Sequence, residues 1–225
     1  MITTKPISDP KMLIIPTENM PLLKNGDILN SEEFERRCQA INDAEKAELI
    51  EGVVYMAAAL RYRNHGKPHA DIMGWLVTYQ INTPGVEVGD NATVKLDDKN
   101  QPQPDALLRI KEGGNSVISD DDYIVGAPEL IVEIAGSTVD IDTNQKFKLY
   151  RRHGVKEYLI WRVEEQQFDW YYLKSGKYRQ QKPNAEGVIK SQVFPGLWLD
   201  IPALLSGNLK QVLAVLQQGL EMQEK

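Results

Sequence analysis

The sequence predicts a mixed α/β fold, one central mixed sheet flanked by helices. Three features predict it. Apolar residues recur at helical spacing in two well-separated segments, His69 to Tyr79 and Leu209 to Leu220. Short β-prone runs bounded by Gly, Pro, Asn and Asp lie between and after them. The order of segments is helix, strands, helix, strands, helix, strands, helix, which suits one sheet with helices packed on it.

Residues 1–30 carry four prolines (Pro6, Pro10, Pro16, Pro21) and mixed polarity, and read as an irregular N-terminal arm. A chain of 225 residues is long enough for one well-cored domain and short for two, so residues 31–225 read as a single domain. "NSEE" places the capping oxygen of Asn30 three residues before Glu33, which starts a helix there. "ELIEGVVYM" turns at Gly52 into a β-prone run. "HADIMGWLVTYQ", with His69, Ile72, Met73, Leu76 and Tyr79 on one side, is an amphipathic helix.

Strands follow at "GVEV", "ATVKL" and "PDALLRI", and the Gly- and Asp-rich residues 111–127 are expected to form a loop. "LIVEIA", residues 130–135, is a short buried strand. A helix then runs from about Val139 to His153 and closes at Gly154. "KEYLIWRV" and "FDWYYLK" are strands, and "SGK" turns the second into "YRQQK". The tail is an amphipathic helix with Leu209, Val212, Leu213, Leu216 and Leu220 on one face.

Composition excludes several classes. No apolar run approaches the ~20 residues of a membrane span, and the N-terminus lacks a basic-then-apolar signal pattern. The single cysteine, Cys38, forms no internal disulfide, and the cytoplasm is the simplest compartment. A net charge of −6 argues against a protein that coats nucleic acid non-specifically, while leaving room for an acidic, cation-binding site. With 3 His and 1 Cys, zinc has too few N and S ligands.

The chemistry concentrates around one anomaly. Alternation along Leu130–Ala135 points Leu130, Val132 and Ile134 one way, and Ile131, Glu133 and Ala135 the other. Glu133 is thus a carboxylate inside an apolar strand, and must be protonated, ion-paired or metal-bound. Asp105, at the start of "PDALLRI", is either turn chemistry after Pro104 or a second acid converging on the same point. Two such oxygens suit a hard divalent cation. Asp142, Lys146 and Tyr150 recur every four residues and share one helix stripe. That stripe is either a solvated face or a device that sends Lys146 to the two acids. Lys146, Lys148, Arg151, Arg152 and Lys156 form the densest cationic cluster; Lys148 and Lys156 are the candidates for nucleic-acid contact, against an exposed helix end as the plainer account. His65 and His153 have no constellation around them.

The ordered motifs "PDALL", "ELIVEIAGST", "DTNQKFKLY" and "GVKEYLIW" resemble the Uma-type restriction endonucleases, within the PD-(D/E)xK nuclease superfamily. The resemblance runs from about Glu48 to Leu205. It implies a restriction-endonuclease-like α/β core, with Asp105 and Glu133 as ligands of Mg²⁺ (or Mn²⁺). It also implies metal-dependent hydrolysis of DNA phosphodiester bonds, assisted by Lys146. Glu48 and His69 match acidic and histidine positions of the pattern and, with Asp142 and Tyr150, are possible accessory residues. The superfamily's short lysine position is Ala135 here, and Lys146 on the following helix takes that role. Gly136 stands where a serine is usual, and the segment from Glu133 to Asp142 is one residue short. Cutting two strands with one site per chain favours a homodimer. Two alternatives stay open: a catalytically idle nuclease-fold binding protein whose acids merely pair with Lys146, and a small-molecule phosphodiesterase.

Overall fold

The computed structural model describes residues 21–40, 46–57, 59–136 and 138–223. Of the arm expected over residues 1–30, residues 1–20 lie outside the described residues. Residues 21–30 are irregular and lie on the first hairpin, with Gly26 N–H donating to Val54 O at 2.8 Å and Leu29 N–H to Gly52 O at 2.8 Å.

Helix α1 (Ser31–Ala40) starts where its cap places it: Asn30 Oδ1 accepts from Glu33 N–H at 2.9 Å. Strands β1 (Ala47–Ile50) and β2 (Val53–Met56) form a hairpin about Glu51 and Gly52, both at positive φ (54° and 76°), as the tightest hairpin turn demands. A π-helical turn (Tyr62–Gly66) leads into α2 (Lys67–Ile81). Strands β3 (Val86–Asp90), β4 (Val94–Lys95), β5 (Ala106–Ile110), β6 (Ser116–Ile118), β7 (Ile124–Gly126) and β8 (Leu130–Ala135) follow. Residues 111–127, expected as a loop, therefore hold two short strands, and β4, β7 and β6 make a small three-stranded sheet. Three-residue strands carry too little periodicity to stand out from a Gly- and Asp-rich background.

The chain then turns through a π-helical segment (Ile141–Lys146) into α3 (Phe147–His153), closed by Gly154 at φ 84°. β9 (Glu157–Arg162), β10 (Gln167–Lys174), β11 (Lys177–Gln180), β12 (Val188–Lys190), β13 (Trp198–Asp200), α4 (Ile201–Leu205) and α5 (Leu209–Gln223) complete it.

The central sheet has six strands in the order β11-β10-β9-β8-β5-β3. β8 and β9 are parallel, joined by the 139–153 helical crossover; every other neighbour in this sheet is antiparallel. One face carries Leu108, Val132, Ile134, Leu159 and Trp170, which pack on Ile72, Trp75 and Tyr79 of α2 and Leu216 of α5. Trp75 and Trp170 meet edge to face, ring centroids 6.0 Å apart. The opposite face carries Leu107, Ile131, Ala135, Tyr158 and Ile160 against Leu149 and Tyr150 of α3. All six residues of β8 are buried, so it is the centre of both layers. Glu133 lies on the α3 face, in register with Ile160 of β9, as alternation predicts. Among the described residues no helix is long and apolar enough to cross a membrane.

Candidate active site

Two strands and one helical crossover bring the acids together. β5 pairs antiparallel with β8, Ala106 opposite Val132. That register sets Asp105, just before β5, beside the C-terminal half of β8. Its Oδ2 accepts from the Ile134 N–H at 2.7 Å, one residue from Glu133. Asp105 Oδ1 accepts from His65 Nε2 at 3.1 Å and from Lys46 Nζ at 3.4 Å. Burial works to raise the Asp105 pKa; the His65 hydrogen bond, the charges of Lys46 and His65 and the Ile134 N–H outweigh it, and hold it well below the ordinary carboxylate range.

Glu133 is 3% exposed. Its Oε1 accepts from Lys146 Nζ at 3.0 Å and from Tyr150 OH at 2.8 Å. Glu48 Oε1 lies 2.9 Å from the same Lys146 Nζ and also accepts the Gln103 N–H at 2.7 Å. Asp142 Oδ1 lies 3.8 Å from Lys146 Nζ, while Oδ2 accepts from Thr138 Oγ1 at 2.5 Å. Three carboxylates thus surround one ammonium. Burial raises the Glu133 pKa well above its usual value, opposed by Lys146 and reinforced by Asp142, Asp105 and Glu48. Burial pushes Asp142 up to about 6 against the pull of Lys146. For Lys146, burial favours the neutral form, yet Glu133, Glu48 and Asp142 hold its pKa well above the usual value.

The four-residue stripe therefore points inward, since Asp142, Lys146 and Tyr150 are all buried. Its first half is wound as a π-helix, a wider turn that is frequent at functional sites. A buried Glu133–Lys146 pair is present, and Asp105 lies beside it at the end of β8.

These groups lie at the floor of a cleft of about 570 Å³, lined by Lys46, Glu48, His65, Asp105, Glu133, Asp142 and Lys146 among others. His69 stands beside it: Nε2 donates to the Asp105 backbone carbonyl at 2.9 Å and lies 3.1 Å from Asp90 Oδ1. It braces the Asp105 backbone and touches none of the carboxylates of Glu48, Asp105, Glu133 and Asp142. Lys148 and Lys156 do not line the cleft; Lys156 Nζ lies 3.7 Å from Glu129 Oε1.

His65, given no partners from sequence, is corrected by the fold. Its signal was the four-residue spacing from His69 in "HGKPH", which places both rings on one side, centroids 5.6 Å apart. Lys46 was missed too, although strand alternation puts it on the same face as Glu48. Gly136 has a steric reason: a Cβ there would lie 2.8 Å from the Asn64 carbonyl oxygen, which crosses the end of β8.

Whether a divalent cation fits is decided by the donor set. Among the described residues no three acids or histidines are arranged to grip one cation directly. Lys146 stands where Glu48, Glu133 and Asp142 meet. Asp105, just before β5, and Glu133 on the neighbouring β8 offer two carboxylate groups, and Mg²⁺ takes one or two carboxylates with water or phosphate oxygens completing its shell. The donors fit that mode, and the excess of buried carboxylates over cations favours it.

Comparison with curated proteins gives no match. Among solved structures, the chain is similar to "a putative nuclease belonging to DUF820" from Anabaena variabilis ATCC 29413, with a TM-score of 0.58 and 14% identity over 71% of this chain and 89% of that one. The Uma2 family model, described as "Putative restriction endonuclease", matches residues 31–202, which include Glu48, Asp105, Glu133 and Lys146. The chain belongs to the Uma2 family.

Proposed function

We propose that this protein is a divalent-metal-dependent endonuclease that hydrolyses DNA phosphodiester bonds. The observation that carries the reading is the cluster itself: buried Glu133 and Asp142 and half-buried Glu48 around Lys146, beside Asp105, at the floor of an open cleft. Buried acids in such excess destabilise a fold unless a cation uses them. Asp105 and Glu133 would hold Mg²⁺ or Mn²⁺, which when bound would supply a water of lowered pKa and charge stabilisation at the phosphoryl group. Lys146 is held by Glu133 and Glu48, its ammonium 3.0 Å from the Glu133 carboxylate, where it orients the attacking water or offsets charge developing on the phosphate. Tyr150 fixes the Glu133 carboxylate, and His65 fixes Asp105. Cleavage of both strands from one site per chain calls for two chains acting together.

The test is cleavage of supercoiled and linear DNA with Mn²⁺ or Mg²⁺, comparing wild type with Glu133→Ala and Asp105→Ala. Loss of cleavage in both variants, with loss of the cation-induced rise in melting temperature in Asp105→Ala, is the expected result. Cleavage that survives Glu133→Ala sinks this assignment of the site. A wild-type protein with neither cleavage nor cation response favours the second reading, an idle binding protein, which the Glu133–Lys146 contact at 3.0 Å also suits.

A further inference from the structure

The floor of the cleft is acidic, but one stretch of its rim is basic. In the segment from Leu60 to Arg63 (LRYR), Leu60 and Arg61 line the cleft, and Tyr62 and Arg63 follow between them and the lining residues Asn64 and His65. Arg61, Tyr62 and Arg63 are exposed, and neither arginine has an ion-pair partner among the described residues. Leu60 is 61% exposed and Tyr62 72% exposed, two large apolar side chains two residues apart with Arg61 between them.

The segment is held firmly to the site. The Arg61 carbonyl accepts from His65 N–H at 2.9 Å and from Gly66 N–H at 3.2 Å, closing the π-helical turn. The Tyr62 ring lies over that turn, where a Cβ on Gly66 would meet its Cδ2 at 3.9 Å. His65 in turn bonds Asp105. Asn64 Nδ2 donates to Glu164 Oε1 at 2.8 Å across the cleft wall. About one helical turn therefore separates the exposed Arg-Tyr-Arg triplet from a side chain that touches a catalytic acid.

We infer that Leu60–Arg63 is a strand-binding lip for nucleic acid with an unpaired base beside the scissile phosphate. The inference rests on the nuclease reading of the same site. Arg61 and Arg63 take backbone phosphates, supplying the positive charge that the acidic floor lacks. Tyr62 offers its ring to a base, and Leu60 covers the edge of the same base. A ligand made of phosphate alone would satisfy the two arginines and leave the exposed ring and the leucine without use. Stacking on an aromatic side chain needs a base outside the duplex stack, so single-stranded, frayed or gapped substrates are preferred to intact duplex.

The test is binding of the full chain, in Ca²⁺, to a labelled single strand and to a blunt duplex of the same sequence across a range of salt. Tyr62→Ala weakens single-strand binding about tenfold and leaves the blunt duplex within about twofold, while Tyr62→Trp stays near wild type on both. Arg61→Ala with Arg63→Ala weakens both ligands and lowers the salt slope on the single strand by about 1.4, the loss of two phosphate contacts. Lys210→Ala, on the exposed face of α5, changes neither. All these side chains are exposed, so unchanged melting temperatures are expected throughout. A wild type that binds nucleic acid while Tyr62→Ala binds the single strand equally well overturns the lip. A wild type that binds no nucleic acid at all overturns the nuclease reading itself.

Discussion

Asp142→Asn tests the claim that the site holds more negative charge than the fold alone tolerates. Asp142 is almost fully buried, one oxygen hydrogen-bonded by Thr138 and the other without a hydrogen-bond partner. Its pKa rises from an ordinary 3.8 to about 6, burial being the main cause, and that value already includes the attraction of Lys146. A carboxyl whose folded pKa is raised favours the folded state while protonated, and that contribution is lost as pH climbs through the folded value. Above about pH 6 the ionised carboxylate therefore costs the folded protein about 3 kcal/mol, at ~1.4 kcal/mol per pH unit. Asparagine is neutral and nearly the same shape. Asp142→Asn should stabilise the protein by up to about 3 kcal/mol at pH 7.5, or roughly 6–12 °C in melting temperature for a chain of this size. The gain should shrink steadily below pH 6 and vanish near pH 4. Urea unfolding of both proteins at pH 4, 6 and 7.5 measures it. A variant less stable than wild type at pH 7.5, or a gain that does not change with pH, refutes the reasoning.

Two further substitutions probe the same architecture. Lys146→Met leaves Glu48, Glu133 and Asp142 facing one another without their cation, and should cost about 3–5 kcal/mol at pH 7.5; urea unfolding should show a smaller loss at pH 5, where Asp142 takes up a proton, and an equal loss at both would count against the cluster. Gly136→Ser sets a Cβ 2.8 Å from the Asn64 carbonyl, so the turn that carries His65 must move, at about 1–3 kcal/mol in thermal or chemical unfolding; unchanged stability would mean that the close approach is not made in solution.

A site that lowers stability is a common signature of function, because strain and like charge persist only where the surrounding structure enforces them. Here the enforcement is visible. β8 is buried on both faces and cannot slide without moving every side chain to the wrong layer. Glu133 is therefore held at a fixed depth. The crossover helix then has little choice over where its inward stripe of Asp142, Lys146 and Tyr150 ends.

Much of this was already determined by the sequence. The order and type of the longer elements follow from periodicity, capping and turns: Asn30 caps α1, Gly154 closes α3, and Ser175-Gly176 turns β10 into β11. Glu133 was marked by being a charge in a strand otherwise apolar on both faces, and Lys146 by its spacing from Asp142 and Tyr150. These are local signals, readable within one element. Only the tertiary structure decided what meets what. The pairing of β5 with β8 sets Asp105 beside Glu133, and the β1–β2 hairpin delivers Glu48 to Lys146 across nearly a hundred residues of chain. His65, Lys46 and the Arg61–Arg63 rim acquire meaning in the same way, because spacing from His69 or Glu48 tells which side a side chain takes and not which acid of a distant element it meets. A side chain's own sequence neighbourhood fixes which way it points; register, and the packing of one layer on another, fixes what it finds there.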